Sequence, residues 1–159
     1  MSVTHLRPER FAISELSEKP QFLETAADCI WLEGWQAKGV SQTHILNRTR
    51  ESLDHTSVPS TFIAHEGEEF WGSVALISND LESRPQYTPW VAALLVQPEQ
   101  RSKGVATRLV TELETFAKNS GIDRLYLCAI RPLRQFYESR GWVCIEEDVD
   151  GLDVFDKRL

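Results

Sequence analysis

The seven apolar residues from Trp90 to Val96 form the longest uninterrupted apolar run in the sequence. The run is too short to span a bilayer, so it predicts a strand that is buried on both faces at the centre of a sheet. A second apolar pattern follows between Gly104 and Ser120, and it has the spacing of one helix face: Val105, Leu109, Leu113, Phe116 and Ala117. A buried strand followed by an amphipathic helix indicates a mixed α/β architecture.

The rest of the sequence predicts further helices and strands around this unit. Helices are predicted where apolar residues recur at spacings of three and four and where glycine or proline ends the pattern, at Pro20–Trp35, Gln42–Asp54 and Leu133–Arg140. Shorter runs predict strands at Val3–Ile13, Thr61–His65, Phe70–Ile77, Arg124–Cys128, Trp142–Ile145 and Leu152–Phe155, the last two around an acidic turn at Glu146–Gly151. The segment from Trp90 to Cys128 is expected to form a right-handed parallel crossover, with Gly121 after the C-cap of its helix.

Length and charge limit the function classes that remain. The 159 residues predict a single domain over residues 1–159. The net charge of −7 argues against a nucleic-acid partner, and the polar N-terminus resembles no signal peptide. The three cysteines lack the spacing of a metal site, so we expect no metal, free thiols and a cytoplasmic location.

The loop from Gln97 to Gly104 joins the predicted central strand to the predicted helix. Such a junction presents unpaired backbone N–H groups and the positive end of the helix dipole, which favour a phosphate. Gly104 leaves room for an anion close to the backbone, and Arg101 and Lys103 add positive charge. The alternative, an ordinary loop with surface cations, stays open on these residues alone.

Two motifs in this region resemble those of one family. Arg101-x-x-Gly104-x-Ala106 matches the R/Q-x-x-G-x-G/A signature of the GNAT (GCN5-related) N-acetyltransferase superfamily, and Phe136–Trp142 resembles its Y-x-x-x-G-F segment. The order of predicted elements is also the order of the family. The clear resemblance covers Phe62 to Trp142, whereas the first fifty or so residues match only in element type.

The resemblance implies a transferase of the acyltransferase class that uses acetyl-CoA as co-substrate. It implies a single α/β (α+β) domain with a mixed, mostly antiparallel sheet, a parallel strand pair at the acyl-CoA cleft and helices on both faces. The pantetheine is then expected along Leu94, Leu95 and Val96. The pyrophosphate is expected on the backbone amides of the following loop and first helical turn: Arg101, Ser102, Lys103, Gly104, Val105, Ala106 and Thr107.

The resemblance also implies direct attack of a primary amine on the thioester. Tyr137 occupies the position of the acid that protonates the leaving thiolate, although a packed aromatic residue is the alternative. Many relatives carry a glutamate base on the central strand, but Trp90–Val96 holds no ionisable residue. We therefore expect a base that comes from elsewhere or acts through water, with Asp80 preferred over Glu82 and Glu33, although a solvated surface carboxylate is the alternative for each. We also expect an acceptor that needs little help to lose its proton.

Other positions depart from the family pattern or stay ambiguous. Ile130 replaces an asparagine that helps to hold CoA in many relatives, and Ser102 replaces a second glycine. Arg131 and Arg134 are candidates either for contact with CoA phosphates or for solvent exposure. Three tryptophans are candidates either for an acceptor pocket or for the core, namely Trp31, Trp35 and Trp90.

Two classes of function are therefore considered. The first is an N-acetyltransferase acting on a small-molecule or peptide amine. The second is a non-catalytic acyl-CoA sensor or interaction module with the same fold. The intact Tyr137 favours the enzyme, whereas the absence of a base from the central strand favours the sensor. The sequence predicts no membrane partner and leaves open whether the chain forms a homodimer.

Overall fold

A computed structural model describes residues 10–54 and 56–159. Within them, seven strands form one sheet: β1 (Ala12–Glu15), β2 (Ser60–Glu66), β3 (Glu69–Ile77), β4 (Trp90–Val96), β5 (Arg124–Ala129), β6 (Val143–Val149) and β7 (Leu152–Arg158). The same part of the chain contains four α-helices: α1 (Leu23–Gly34), α2 (Gln42–Arg50), α3 (Val105–Asn119) and α4 (Arg134–Glu138). Short 3₁₀ turns connect several of these elements.

The strands lie in the order β1-β2-β3-β4-β5-β7-β6, so β4 is in the middle of the sheet. Neighbouring strands are antiparallel except β4 and β5, which are parallel. The structure thus confirms the mixed, mostly antiparallel sheet with one parallel pair. The parallel pair is possible because α3 carries the chain back along the sheet between the two strands.

Helices cover both faces of the sheet, as expected. On one face α3 inserts Val105, Leu109, Leu113 and Ala117 into the main core, which also contains Trp71, Val74, Leu127 and Phe155. On the other face α1 contacts β3 and β4, and Ala26 packs with Phe22 and Ile63. Gly121 has φ +86° directly after the C-cap Ser120, which confirms how α3 ends.

Element boundaries differ from the prediction where polar sequence enters a strand. The first strand begins at Ala12 and continues to Glu15, while the part of the predicted strand from Val3 to residue 9 lies outside the described residues. The predicted acidic turn is wrong, because β6 continues through Glu146 and Glu147 to Val149 and only Asp150 and Gly151 turn the chain. β6 is an edge strand, where charged side chains reach solvent without loss of pairing.

No helix in the described part of the chain is long and apolar enough to cross a membrane.

Candidate active site

The two parallel strands separate soon after they meet. Their pairing places Trp90 opposite Tyr126, and the N–H of Tyr126 donates to the carbonyl of Pro89 at 3.1 Å. Beyond that point the described residues show no further pairing between β4 and β5, so the edge of β4 from residue 91 to 96 faces a cleft. Free N–H and C=O groups along such an edge can pair with an extended ligand.

A bulge in β4 bends the strand at the cleft. On the neighbouring strand Ser73 pairs with Leu95 and Ala75 with Ala92, so Val74 alone faces both Ala93 and Leu94. Ala93 has a left-handed backbone, with φ 52°. The prediction that β4 is buried on both faces is therefore wrong beyond Val91, because the residues from 92 to 96 are only half-buried where β5 has moved away.

The loop after β4 has the backbone of an anion-binding turn. Ser102 and Gly104 both have positive φ, 63° and 81°. No side chain caps α3 and no acidic residue lies in its first turn, so the N–H groups of Val105, Ala106 and Thr107 remain available. A Cβ added to Gly104 would meet no atom within 4 Å, which leaves open space above these amides.

Three cations surround the same loop. The ammonium of Lys103 donates to Oε1 of Gln100 at 2.8 Å and lies over the ring of Trp71, 5.2 Å from its centroid. Arg101 donates to the carbonyl of Val96 at 3.2 Å. Arg140, after α4, donates to the hydroxyl of Thr107 at 3.1 Å. Positive charge is thus concentrated beside the uncapped end of α3 in an acidic chain.

Tyr137 is in α4, and its phenol lies near the thiol of Cys128 in β5. Its ring is buried against Phe136, Trp142 and Phe155, with ring centroids 5.0, 6.4 and 5.8 Å away. The described residues provide no hydrogen-bond partner for its hydroxyl. Burial raises the pKa of Tyr137, and the neighbouring thiol of Cys128 raises that pKa further. The phenol therefore stays protonated at neutral pH and has a proton to donate.

Asp80 follows β3 and points toward the end of β5. The Sγ of Cys128 donates to its Oδ2 at 3.4 Å. Burial raises the pKa of the Asp80 carboxyl, an effect that the hydrogen bond from Cys128 and the charge of Lys38 oppose. The pKa of Cys128 is raised to about 12, mainly by burial and then by Asp80, so this thiol remains a donor.

A cavity of about 450 Å³ connects Asp80 with the bulge in β4. Its walls come from α1, α2, β3, β4 and the segment after β3, and its floor includes Ala92 and Ala93. Among the predicted residues Asp80, Glu82 and Trp35 line it. The cavity therefore meets the cleft at the backbone position where the two strands begin to separate.

Comparison with known proteins agrees with this geometry. Residues 20–142 match the family model described as the acetyltransferase (GNAT) family. The chain belongs to that family. Its members transfer acetyl groups, so acetyl-CoA is the co-substrate and this chain is an N-acetyltransferase. No curated protein matches the sequence significantly.

Solved structures show the same fold for this acetyltransferase. An acetyltransferase from Streptococcus agalactiae 2603 has a TM-score of 0.69 at 21% identity, covering 95% of this chain and 99% of the other. The PaiA N-acetyltransferase from Thermoplasma acidophilum, solved with coenzyme A, has a TM-score of 0.71 at 20% identity, covering 94% and 99%. An aminoglycoside 6'-N-acetyltransferase with coenzyme A has a TM-score of 0.72 at 16% identity, covering 92% and 96%.

The remaining candidate residues of this acetyltransferase fall outside the cavity. Glu33 lies 3.9 Å from Arg101, beside the loop, and both side chains are more than half exposed. Trp90 belongs to the core, where it is fully buried and donates to the carbonyl of Tyr87. Trp31 donates to the carbonyl of Val40 at 2.7 Å. Of the three tryptophans only Trp35 lines this cavity.

Arg131 and Arg134 belong to an ion-pair network at the β6–β7 hairpin. Arg131 donates to Asp153, whose side chain is only 2% exposed, at 3.0 Å. Arg134 pairs with Glu138 and Glu147, each at 2.7 Å. Both guanidinium groups therefore already have carboxylate partners. Within the described residues no group of three or more His, Cys, Asp or Glu side chains could hold a metal ion.

Two residues of the site were not predicted to belong to it. The sequence indicates only a free thiol at Cys128, which lies next to the last residue of β5 in the parallel pair, where ligand sites of parallel sheets lie. Arg140 was part of the second motif but was given no role. Only its contact with Thr107, 33 positions earlier, brings it to the loop, and no local pattern in the sequence encodes that contact.

Proposed function

We propose that this acetyltransferase moves an acetyl group from acetyl-CoA directly to a small primary amine, with Tyr137 as general acid and Asp80 as general base. One observation carries the proposal. The edge of β4 that faces the cleft runs from Ala92 and Ala93, which line the cavity with Asp80, to Val96 just before the loop that precedes α3. A donor along the strand and an acceptor in the cavity would come together there.

The chain offers a fitting site for CoA. The open space at Gly104 and the uncapped first turn of α3 suit a pyrophosphate, and the three surrounding cations add charge. The amides of residues 101–107 would bind the pyrophosphate, and the edge of β4 at Leu94, Leu95 and Val96 would pair with the pantetheine. Acetyl-CoA supplies an activated acyl group on a thiolate leaving group.

Tyr137 has the properties that the acid requires. Its ring is held on three sides, its hydroxyl has no protein partner among the described residues, and its pKa is raised. A rigid phenol that is protonated over the whole physiological range can donate to a departing sulfur. The packed ring, which was the alternative explanation of Tyr137, is also observed; here packing and catalysis use opposite ends of one side chain.

Asp80 has the properties of a weak base held in place. The raised pKa of its carboxyl brings its proton affinity closer to that of an ammonium group, which favours proton transfer from the acceptor. The Cys128 thiol orients the carboxylate through its hydrogen bond. Asp80 takes one proton from the ammonium, the free amine forms the N–C bond as the C–S bond breaks, and Tyr137 protonates the sulfur. The acylated nitrogen then gives up one of its two protons, which restores Tyr137, and Asp80 releases its proton, so one proton reaches solvent in total.

The test is release of free thiol from acetyl-CoA in the presence of a panel of amines and peptides, with the products identified by mass. We expect thiol and N-acetyl product in equal amounts. Stabilisation by CoA without thiol release for any acceptor would instead support the acyl-CoA sensor. The single domain over residues 1–159 and the cytoplasmic location stay predictions.

A further inference from the structure

The chemistry of the cavity walls specifies the acceptor more narrowly than the family does. This inference rests on the proposed function, because it takes the 450 Å³ cavity as the acceptor site. A volume of this size is in the range that holds a small organic molecule. It is closed on the sheet side by β3 and β4 and on the helix side by α1 and α2.

Apolar side chains face one another across the cavity, and polar or charged residues of α2 and of the segment after β3 complete the lining. The helix side contributes Ile30, Trp35, Val40 and Ile45, and the sheet side contributes Ala75, Ile77, Ala92 and Ala93. Ile45 and Ala75 are buried, while the others are half-buried, so these side chains present hydrocarbon to whatever enters. An apolar group placed between the two walls would be removed from water, which favours its binding.

Of the charged residues that line the cavity, Asp80 places its carboxylate in the interior. Arg48 and Glu51 lie 3.8 Å apart at the exposed rim and compensate one another. Glu82 is exposed, whereas Asp80 is half-buried and tied to Cys128. Asp80 is therefore the interior anion available to an ammonium group.

The ammonium group of Lys38 lies beside Trp35, which is in the wall of the cavity. The Nζ of Lys38 lies over the ring of Trp35, 5.1 Å from the centroid, and its charge acts on both Asp80 and Cys128. In a ligand with a second or third ammonium group, the additional positive charge would lie toward Lys38 and toward Arg48 at the rim of the cavity. Polyamines and aminoglycosides would thus meet repulsion and find no second interior carboxylate.

We propose that the acceptor is a primary monoamine with an apolar body, such as an arylalkyl or branched alkyl amine. Its ammonium group lies at Asp80 and its hydrocarbon lies between Trp35 and the alanine floor of the cavity. The nitrogen then faces the bulge of β4, where the acetyl group would be.

The first test compares kcat/KM for 2-phenylethylamine and isoamylamine with that for spermidine, kanamycin and a tetrapeptide. Burial of a phenyl or branched alkyl group predicts that the two monoamines exceed the others by about tenfold or more. Thiol release that is faster with spermidine, kanamycin or the peptide overturns the acceptor class and leaves the proposed function standing. Absence of thiol release with every amine overturns both.

A charge reversal tests the same inference by gain of activity. Lys38→Glu replaces the repelling cation with a second anion near Asp80, so the ratio of kcat/KM for spermidine to that for 2-phenylethylamine should rise at least about fivefold. Lys118→Glu, exposed in the last turn of α3, makes the same change of net charge away from the cavity and should leave the ratio unchanged. An equal rise in both variants, or no rise with Lys38→Glu, contradicts the proposed role of Lys38.

Removal of the aromatic wall is the complementary test. Trp35→Ala should lower kcat/KM for 2-phenylethylamine by about tenfold and change that for spermidine much less. Leu32→Ala is the control, because Leu32 is 59% exposed on α1 and does not line the cavity. An equal loss for both acceptors with Trp35→Ala would overturn the proposed contact between Trp35 and the hydrocarbon.

Discussion

The thiol of Cys128 and the carboxylate of Asp80 are joined by a hydrogen bond of 3.4 Å between strand β5 and the segment after β3. The pair links β5 to the segment after β3, and β4 lies between these two strands in the sheet. Both pKa values are raised, that of Cys128 to about 12, and burial is the largest cause for each. Cys128 therefore acts as a neutral donor that fixes a carboxylate, and the raised pKa of Asp80 makes that carboxylate a better proton acceptor.

Substitutions of this pair should separate activity from stability. A carboxyl whose pKa is raised by folding binds more protons in the folded state, so its contribution to stability falls as pH rises from the ordinary carboxyl pKa through the raised one. Asp80→Asn removes that penalty, so we expect a higher Tm at pH 7 than for wild type, no gain near pH 3, and lower kcat/KM. A lower Tm at pH 7 would contradict the burial penalty.

Cys128 should act through the ionisation of Asp80. Cys128→Ala removes the donor that lowers the carboxyl pKa, so the acid limb of the kcat/KM profile should move to higher pH. Cys128→Ser keeps a donor and should return the limb toward that of wild type. A change in Tm with no shift of the limb would reduce Cys128 to a packing residue.

The phenol of Tyr137 should matter for chemistry and not for binding. Tyr137→Phe keeps the ring contacts, so the affinity for CoA should hardly change, while kcat should fall by about 10²–10⁴. Tyr87→Phe is a matched control, because its hydroxyl donates to Glu146 at 2.8 Å and takes no part in the cleft. A Tyr137→Phe enzyme with wild-type kcat at a chemistry-limited step would leave Tyr137 as a core aromatic residue.

Gly104 and Gly121 allow backbone strain to be separated from ligand contact. They lie beside opposite ends of α3, have φ values of 81° and 86°, and would each carry a Cβ that meets nothing within 4 Å. Alanine at either position should lower Tm by a similar amount. Only Gly104→Ala should reduce the thermal stabilisation by CoA. Equal stabilisation of both variants would place the pyrophosphate elsewhere.

Arg131 should contribute to stability and not to CoA binding. It holds the pKa of the Asp153 carboxyl below its ordinary value, as does the N–H of Asp148. A lowered pKa stabilises the fold above the ordinary carboxyl pKa, and this stability is lost as pH falls through the lowered value. Arg131→Gln should therefore lower Tm at pH 7 and have less effect in acid, with unchanged CoA affinity. Weaker CoA binding by a folded Arg131→Gln protein would restore the alternative of a phosphate contact.

The sequence predicts best the elements whose apolar residues form one continuous run or one helix face. β4 has the predicted bounds, and α3 differs by one residue at each end, because each is an apolar run or stripe bounded by polar residues. β6 was predicted too short, because the acidic residues Glu146 and Glu147 on an edge strand look like a turn. Local pattern cannot show whether polar side chains lie on a sheet edge.

The sequence predicts the loop before α3 better than the region around Asp80 and Cys128 where the reaction is proposed to occur. Gly104 and the helix after it are a local signal, and Ser102 has a φ of 63°, a conformation that glycine adopts most readily. The separation of β4 from β5, the contact of Asp80 with Cys128 and the contact of Arg140 with Thr107 depend on pairings 33 to 48 positions apart. Such long-range contacts are set by the packing of the whole sheet.

Amide hydrogen exchange with and without CoA tests most directly whether the cleft beside β4 and the first turn of α3 form the CoA site. CoA at saturating concentration should slow exchange at residues 94–96 and 101–107 and leave the β6–β7 hairpin at residues 147–153 unchanged. ATP at the same concentration, as a control for phosphate binding alone, should slow exchange at the loop less and not at residues 94–96. Protection that is absent from both segments, or that appears at the hairpin instead, would contradict the account.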